Sequence, residues 1–206
     1  RGLGDVYKRQ VSNMNETDKA WRERLYSQIV EAYGKALYTY TTQQKAAGLK
    51  ERSRNILSIV QITLTSISSV GIISSLIASQ YLVSLIAGLC SALSLALNLY
   101  SRGRDYSREV SEHRAAADGL WPIIQDYLSL LTDFDDLGTQ QIRESRKGLQ
   151  DRLEQTYLSA PRTNDKAYRL AQIALKRDSE QSFEVGECDQ LLPIGLRSSK
   201  RQEKAQ

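Results

Sequence analysis

NILSIVQITLTSISSVGIISSLIASQYLVSLIAGLCSALSLALNLYS, residues Asn55–Ser101, contains no Asp, Glu, Lys, Arg or His. These 47 residues would extend about 70 Å as one helix, against a hydrocarbon core of about 30 Å. The run therefore has to fold back on itself. Ser79-Gln80-Tyr81 is the natural reversal, a polar pair followed by an interfacial aromatic. That gives two spans, Ile56–Ala78 and Leu82–Tyr100, each near the ~20 residues a crossing needs. The rest of the chain is too small to bury such a hairpin inside a soluble core. The expected fold is an all-α membrane protein, a two-span transmembrane helical hairpin with long cytoplasmic helices before and after it.

The mean hydropathy of −0.43 suggests an ordinary soluble protein. The average hides one apolar block between two charged arms. Lys45, Lys50, Arg52 and Arg54 precede the first span, and Arg102, Arg104 and Arg108 follow the second. The turn between the spans carries no charge. Because basic flanks stay in the cytoplasm, both arms are expected there, at an inner membrane, with only the short turn on the far side.

The opening RGLGDVYKRQ, Arg1–Gln10, resembles the translation of a transposon end and adapter used to prepare sequencing libraries. GAT GTG TAT AAG AGA CAG encodes Asp5–Gln10. Residues 1–10 are accordingly expected to be non-natural and the chain metagenomic, its natural start either missing or at Met14. Taking Arg1, Lys8, Arg9 and Asp5 out of the 28 basic and 24 acidic residues leaves 25 and 23, a net of +2. That balance gives no reason to expect direct nucleic-acid binding, and no basic stripe interleaved with aromatics supports it. Cys90 lies in the apolar block and Cys188 far away in a polar region, so both are expected to be reduced.

Each span has two faces. On the first, Ser58, Gln61, Thr65, Ser68, Ser69 and Ser75 fall together at 100° per residue, opposite Ile56, Ile59, Val60, Ile67, Val70, Ile73 and Ile77. On the second, Ser84, Gly88, Ser91, Ala92, Ser94 and Asn98 share one side. Leu82, Leu85, Ile86, Leu89, Leu93, Leu97 and Tyr100 share the other. Ser84, Gly88, Ala92 and Ala96 form a small-xxx-small ladder that lets helix backbones approach. Two explanations stay open. The polar faces pack helix on helix, with Ser and Thr also bonding back to their own backbone. Alternatively, several hairpins surround water, with Gln61 and Asn98 among the lining groups. Two spans cannot enclose a channel, so a pore requires a homo-oligomer. No carboxylate or arginine lies within the spans, which argues against a proton relay or voltage sensor.

In the first arm, Trp21 to about Lys50 reads as a helix. Tyr26, Val30, Tyr33, Leu37 and Tyr40 form a stripe, flanked on the same side by Trp21, Leu25 and Ile29. After the hairpin, Tyr106, Val110, His113, Ala117, Leu120, Ile124, Tyr127, Leu131 and Phe134 step by four and three through a heptad seam. Pro122 interrupts that seam and is expected to kink the helix. The arms leave the same membrane face. They can pair with each other as a stalk, or bundle with arms of other subunits.

A further helix is expected over Thr139–Leu158, with Ile142, Leu149, Leu153 and Tyr157 inward. Pro161 ends it, and Thr163 is a candidate N-cap for a helix carrying Tyr168, Ala171, Ile173 and Leu175. Ser182 is a candidate cap for a last short helix through Leu192, followed by a basic tail. The expected division is 15–197 as one domain, made of 15–54, the hairpin 55–101, the heptad helix 102–137 and C-terminal helices 138–197. Residues 198–206 are expected to be disordered.

No phosphate loop, dinucleotide fingerprint or metal-ligand spacing is present. His113, the single histidine, sits in the seam, where a polar residue sets register more often than it does chemistry. Asp133, Asp135 and Asp136 lack Ca²⁺-loop spacing and read as a solvated helix end. No enzymatic activity and no cofactor are expected.

The order of elements is distinctive: WRERLY…YGKALYTY (Trp21–Tyr40), the hairpin, a long helix with Trp121, then APRTxDKAY at Ala160–Tyr168. Over roughly Trp21–Arg197 this resembles the SLATT superfamily, the SMODS and SLOG-associating 2TM effector domains of bacterial conflict systems. The tail points to the subfamily with the A-P-R-T-x-D-K-A motif. The resemblance implies an anti-phage effector acted on in trans by a sensor, often a nucleotide-messenger system. Its hairpins would then assemble in the lipid bilayer into pores or disrupt it, causing suicide or dormancy. The rival expectation is a passive anchor whose arms scaffold a soluble partner.

Overall fold

A computed structural model describes residues 3–78, 81–183 and 187–188, with side chains from 18 onward except at 75–78. Every regular element among them is helical: α1 (Leu3–Ala78), α2 (Tyr81–Arg102), α3 (Tyr106–Thr132), α4 (Thr139–Ser159) and α5 (Asp165–Lys176). The reversal at Ser79-Gln80, the helix through Leu192 and the basic tail lie wholly or mostly outside the described residues.

The first arm and the first span are one helix of 76 residues. Nothing in the sequence stops it: no proline falls in this stretch, and an added Cβ at Gly34 or Gly48 would meet nothing within 4 Å. The backbone stays helical back through Leu3, into the stretch expected to be adapter. Adding turns to an existing helix costs far less than nucleating one.

The return path is broken once. α2 ends at Arg102, and the heptad helix begins at Tyr106, not at 102. The reason is local: the Asp105 carboxylate accepts a hydrogen bond from the Arg108 amide at 3.0 Å, a standard N-cap. The far end also differs from the expected boundary, since α3 closes at Thr132 rather than near 137. Asp133–Asp136 turn outside it, and Arg22 donates to the carbonyls of Phe134 (2.8 Å) and Leu137 (3.1 Å). α3 continues as a helix through Pro122.

α2 and α3 both run antiparallel to α1 in a single register. Contacts proceed from Thr65–Ser94 in the hairpin, through Lys50–Glu109 and Gln43–His113, to Tyr40–Trp121 and Tyr26–Phe134. The arms of one chain therefore pair with each other.

The arm core is built of Leu25, Ile29, Ile123, Tyr127, Leu130, Phe134, Ile142 and Leu149, continued by Ala36, Leu120 and Ile124. The stripe of α1 is rotated toward its expected flank of Leu25 and Ile29, with Tyr33, Leu37 and Tyr40 packed at the edge of the core. Tyr26 and Val30 are exposed, whereas Leu25, Ile29 and Ala36 are buried. Ala36 leaves room for Leu120 and Ile124, which Tyr or Val on that line would not. α4 packs on α3 through Ile142 and Leu149; Tyr157, expected inward, is exposed and places its hydroxyl 3.3 Å from that of Thr39.

The cap of α5 is Asn164, one residue after the expected Thr163. Its side chain accepts from the Ala167 amide at 2.9 Å, and Asn ranks above Thr in this role. α5 buries Ala167, Ala171 and Ala174, while Tyr168 and Ile173 of the expected set are exposed. Alanines let α5 lie close against α1.

Leu120 is fully buried between α1 and α3, and Leu128 on the same helix is exposed. Leu120→Ala is expected to destabilise the detergent-solubilised protein by about 2–5 kcal/mol, and Leu128→Ala by less than about 1 kcal/mol. Denaturant unfolding followed by circular dichroism measures both.

Candidate functional site

Within the hairpin, α1 turns Leu57, Gln61, Leu64, Ser68 and Gly71 toward α2, which answers with Val83, Ala87, Cys90, Ser94 and Leu97. Both lines step by three and four, the spacing of one helical face. The closest approach is at Gly71, where an added Cβ would lie 2.8 Å from the Ala87 Cβ. That proximity lets the buried Ser68 hydroxyl donate across to the Ala87 carbonyl at 2.9 Å. One turn away, Thr65 donates to its own helix at Gln61 O (2.8 Å) and sits 3.0 Å from the Ser94 hydroxyl. With its single proton committed, Thr65 accepts from Ser94.

These bonds place the candidate membrane residues. Ser68 and Ser94 are buried between the helices, Gln61 is half-buried, and Thr65 stands at the edge. Ser58, Ser84, Gly88, Ser91, Ala92 and Asn98 are exposed; the Ser75 side chain lies outside those described. The ladder Ser84-Gly88-Ala92-Ala96 therefore faces away from α1, and Leu97, expected on the opposite face, turns toward it. Sequence reasoning missed Gly71, Val83, Ala87 and Cys90. Their signal was positional: Gly71, the only glycine of the first span, and Ala87 lie at nearly equal distances from the reversal.

Several exposed hydroxyls bond back to their own helix: Thr63 to Ile59 O (2.9 Å), Ser66 to Ile62 O (2.8 Å) and Ser69 to Thr65 O (2.9 Å). Such groups need no second helix and no water. Gln61 and Asn98 lie at one level, toward the charged end of the hairpin rather than its middle.

In the arms, Val110, His113, Ala117, Leu120, Ile124 and Tyr127 of the seam are buried, and Tyr106 and Leu131 are half-buried. Ala116, Ile123 and Leu130 are buried beside them, widening the seam because α4 packs on the adjoining side of α3.

His113 is tied in by a hydrogen bond that crosses the fold. Gln43 Nε2 donates to the Pro161 carbonyl at 3.0 Å, which fixes the amide so that Oε1 faces His113 Nδ1 at 2.5 Å. An acceptor there means that Nδ1 carries the proton. One glutamine thus joins α1, α3 and the Ala160-Pro161-Arg162-Thr163 turn. Burial holds the His113 pKa below its ordinary value, with the nearby Lys50 charge acting the same way and Glu109 and Glu112 opposing. Lys50 pairs with Glu109, and Arg114 with Glu51 at 2.8 Å.

The two apolar helices are long enough to cross a membrane, and only 6% and 11% of their most apolar windows are buried within the protein. A core helix of a soluble protein would be mostly enclosed. The chain is thus an all-helical, two-span membrane protein. The family model for the SMODS and SLOG-associating 2TM effector domain, family 4, matches residues 25–187, from the arm of α1 past the end of α5. The chain belongs to that SLATT family. Neither a curated protein nor a solved structure matches it.

Two outcomes follow from this geometry. Gly71→Leu forces bulk against Ala87 and is expected to destabilise the hairpin by about 1–3 kcal/mol, measured by unfolding in mixed micelles. For His113, the folded pKa lies below the unfolded one, so the unfolded chain binds more protons as pH falls below about 6.5. Stability is expected to be full above that pH and to decline below it. His113→Asn should flatten this part of the profile of melting temperature against pH.

Proposed function

We propose that this chain is the membrane-acting component of a bacterial conflict system. In this reading both arms are cytoplasmic at the inner membrane, as the basic flanks Lys45, Lys50, Arg52 and Arg54, and Arg102, Arg104 and Arg108 favour. A sensor acting in trans, by direct contact or through a nucleotide messenger, changes how the arms associate. Copies of the hairpin then join and breach the bilayer, and the infected cell dies or becomes dormant. The action is physical, with no catalytic step, no cofactor and no direct binding of nucleic acid.

The observation that carries this reading is the outward face of α2. The hairpin packs through Ala87 and Ser94 and leaves Gly88, Ser91, Ala92 and Asn98 exposed. Small residues offer another helix a close approach, and a primary amide in hydrocarbon favours a partner or water. A second copy supplies the first, and a pore supplies the second.

A second reading is favoured by the back-bonded hydroxyls of Thr63, Ser66 and Ser69. Much of the polar surface of α1 is already satisfied there, which suits a passive anchor whose arms recruit a soluble partner.

Inducible expression of residues 11–206 in bacteria, with a potential-sensitive dye, separates the two. An effector is expected to depolarise the membrane as it accumulates or once its trigger is supplied. Asn98→Leu should abolish most of that response while inserting normally. Partner recruitment without depolarisation under triggering conditions would establish the anchor.

A further inference from the structure

We propose that the cavity at the junction of hairpin and arms binds a phosphate-bearing anion, the headgroup of an anionic lipid in the leaflet from which the arms emerge. The inference needs only that the hairpin lies in a bilayer and is independent of whether a pore forms.

The cavity measures about 390 Å³, within the range of small-ligand sites. Three arginines line it from three different places in the chain: Arg54 on α1, Arg102 at the end of α2, and Arg104 in the break before α3. Ser58 and Gln61 line it on the membrane side with a hydroxyl and an amide. Asp105 also contributes to the wall, but its carboxylate is engaged in capping α3 at the Arg108 amide, 3.0 Å away.

The protein offsets these cations only in part. Among the described residues no carboxylate forms an ion pair with Arg102 or Arg104, and Arg104 lies over the Tyr100 ring at 5.6 Å from its centroid. Arg54 shares the Glu51 carboxylate, 3.6 Å away, with Arg114, which holds it at 2.8 Å. The wall thus carries three cations against the one carboxylate of Asp105, and an anion between the arginines relieves their mutual repulsion.

Position decides the class of anion. The charge-free run ends at Asn55 on α1 and at Ser101 on α2. The arginines therefore stand where hydrocarbon gives way to headgroups, and basic pockets at this depth suit anionic lipids. Planar guanidinium forks match phosphate oxygens bidentately. Below them, Ser58 and Gln61 lie at the level of a lipid's glycerol. Because Arg104 belongs to the only interruption in the return path, a lipid held here ties the α2–α3 break to α1.

The test uses the full chain in neutral detergent, with native mass spectrometry of bound phosphatidylglycerol, phosphatidylcholine and inorganic phosphate. Preferential retention of phosphatidylglycerol is expected, and Arg102→Gln with Arg104→Gln should weaken it at least about tenfold. Ser58→Leu, which fills the cavity and keeps every charge, should do likewise; it decides the matter if the double variant loses its helical circular dichroism. Arg52→Gln, on the same flank but outside the cavity, should retain the preference. Displacement of the lipid by inorganic phosphate at equal concentration would support the site and assign it to a soluble phosphate. No preference in the parent chain and no phosphate bound would overturn the proposal. Equal loss in Arg52→Gln would do the same, by reducing the effect to diffuse surface charge.

Discussion

An α-helix keeps its direction as long as its backbone ladder is unbroken, and α1 keeps that ladder from the arm into the membrane. Every other helix takes its position from it. α2 lies along the membrane half of α1, α3 and α5 lie along the arm half, and α4 closes over α3. Two different solvents therefore act on one rod. In the arm, water drives Leu25, Ile29 and Ala36 against Leu120, Ile124 and Tyr127. In the membrane no such force exists between apolar surfaces, and the helices meet through the close approach at Gly71 and the bonds of Ser68 and Ser94.

The register of the molecule is set twice, by different chemistry. The Gly71–Ala87 approach fixes how α2 slides on α1, since a shift of one turn would bring larger side chains to the crossing. The Gln43–His113 bond fixes α3 on the same rod, and the Gln43–Pro161 bond adds the α4–α5 turn. Buried polar groups of this kind are costly to mispair, because a slipped register would leave an amide and an imidazole without partners. The conserved direction of pairing on either side of Gly103–Asp105 shows that both locks agree.

The hairpin was legible because its signal is absolute: 47 residues without an ionisable group. The α3 seam was legible because a 4-3 repeat over several turns survives most contexts. What the sequence concealed was rotation. A wheel sorts polar from apolar, yet the hairpin closes where Gly71 meets Ala87, and that crossing brings Val83 and Leu97 into the contact and leaves the Ser84-Gly88-Ala92 ladder outside it. In the arm the rotation is smaller: Ala36 is buried against Leu120 and Ile124, with Tyr33, Leu37 and Tyr40 of the expected stripe packed at its edge. Local competition shifted two helix starts: the Asp105 cap begins α3 after the expected 102, and Asn164 displaced Thr163 as the cap of α5. The cavity of arginines was invisible because its walls are far apart in sequence and its charges read simply as topology signals.

The two chain crossings at the membrane boundary are mechanically unlike each other. α1 passes through as continuous helix, so a rotation or shift of its arm is carried into the bilayer. The return strand passes through Gly103-Arg104-Asp105, where the backbone ladder is interrupted and only turn bonds, Ser101 O to the Arg104 amide and Arg104 O to the Tyr106 amide, hold the connection. Such a link transmits little torque. A force applied to the arms therefore turns α1 while α2 follows through its packing at Gly71, Ser68 and Ser94. Those contacts rest on close fit and two hydrogen bonds rather than on hydrophobic exclusion. The membrane boundary is thus crossed by one stiff rod and by one interrupted link whose helix is held to that rod by fit and hydrogen bonds.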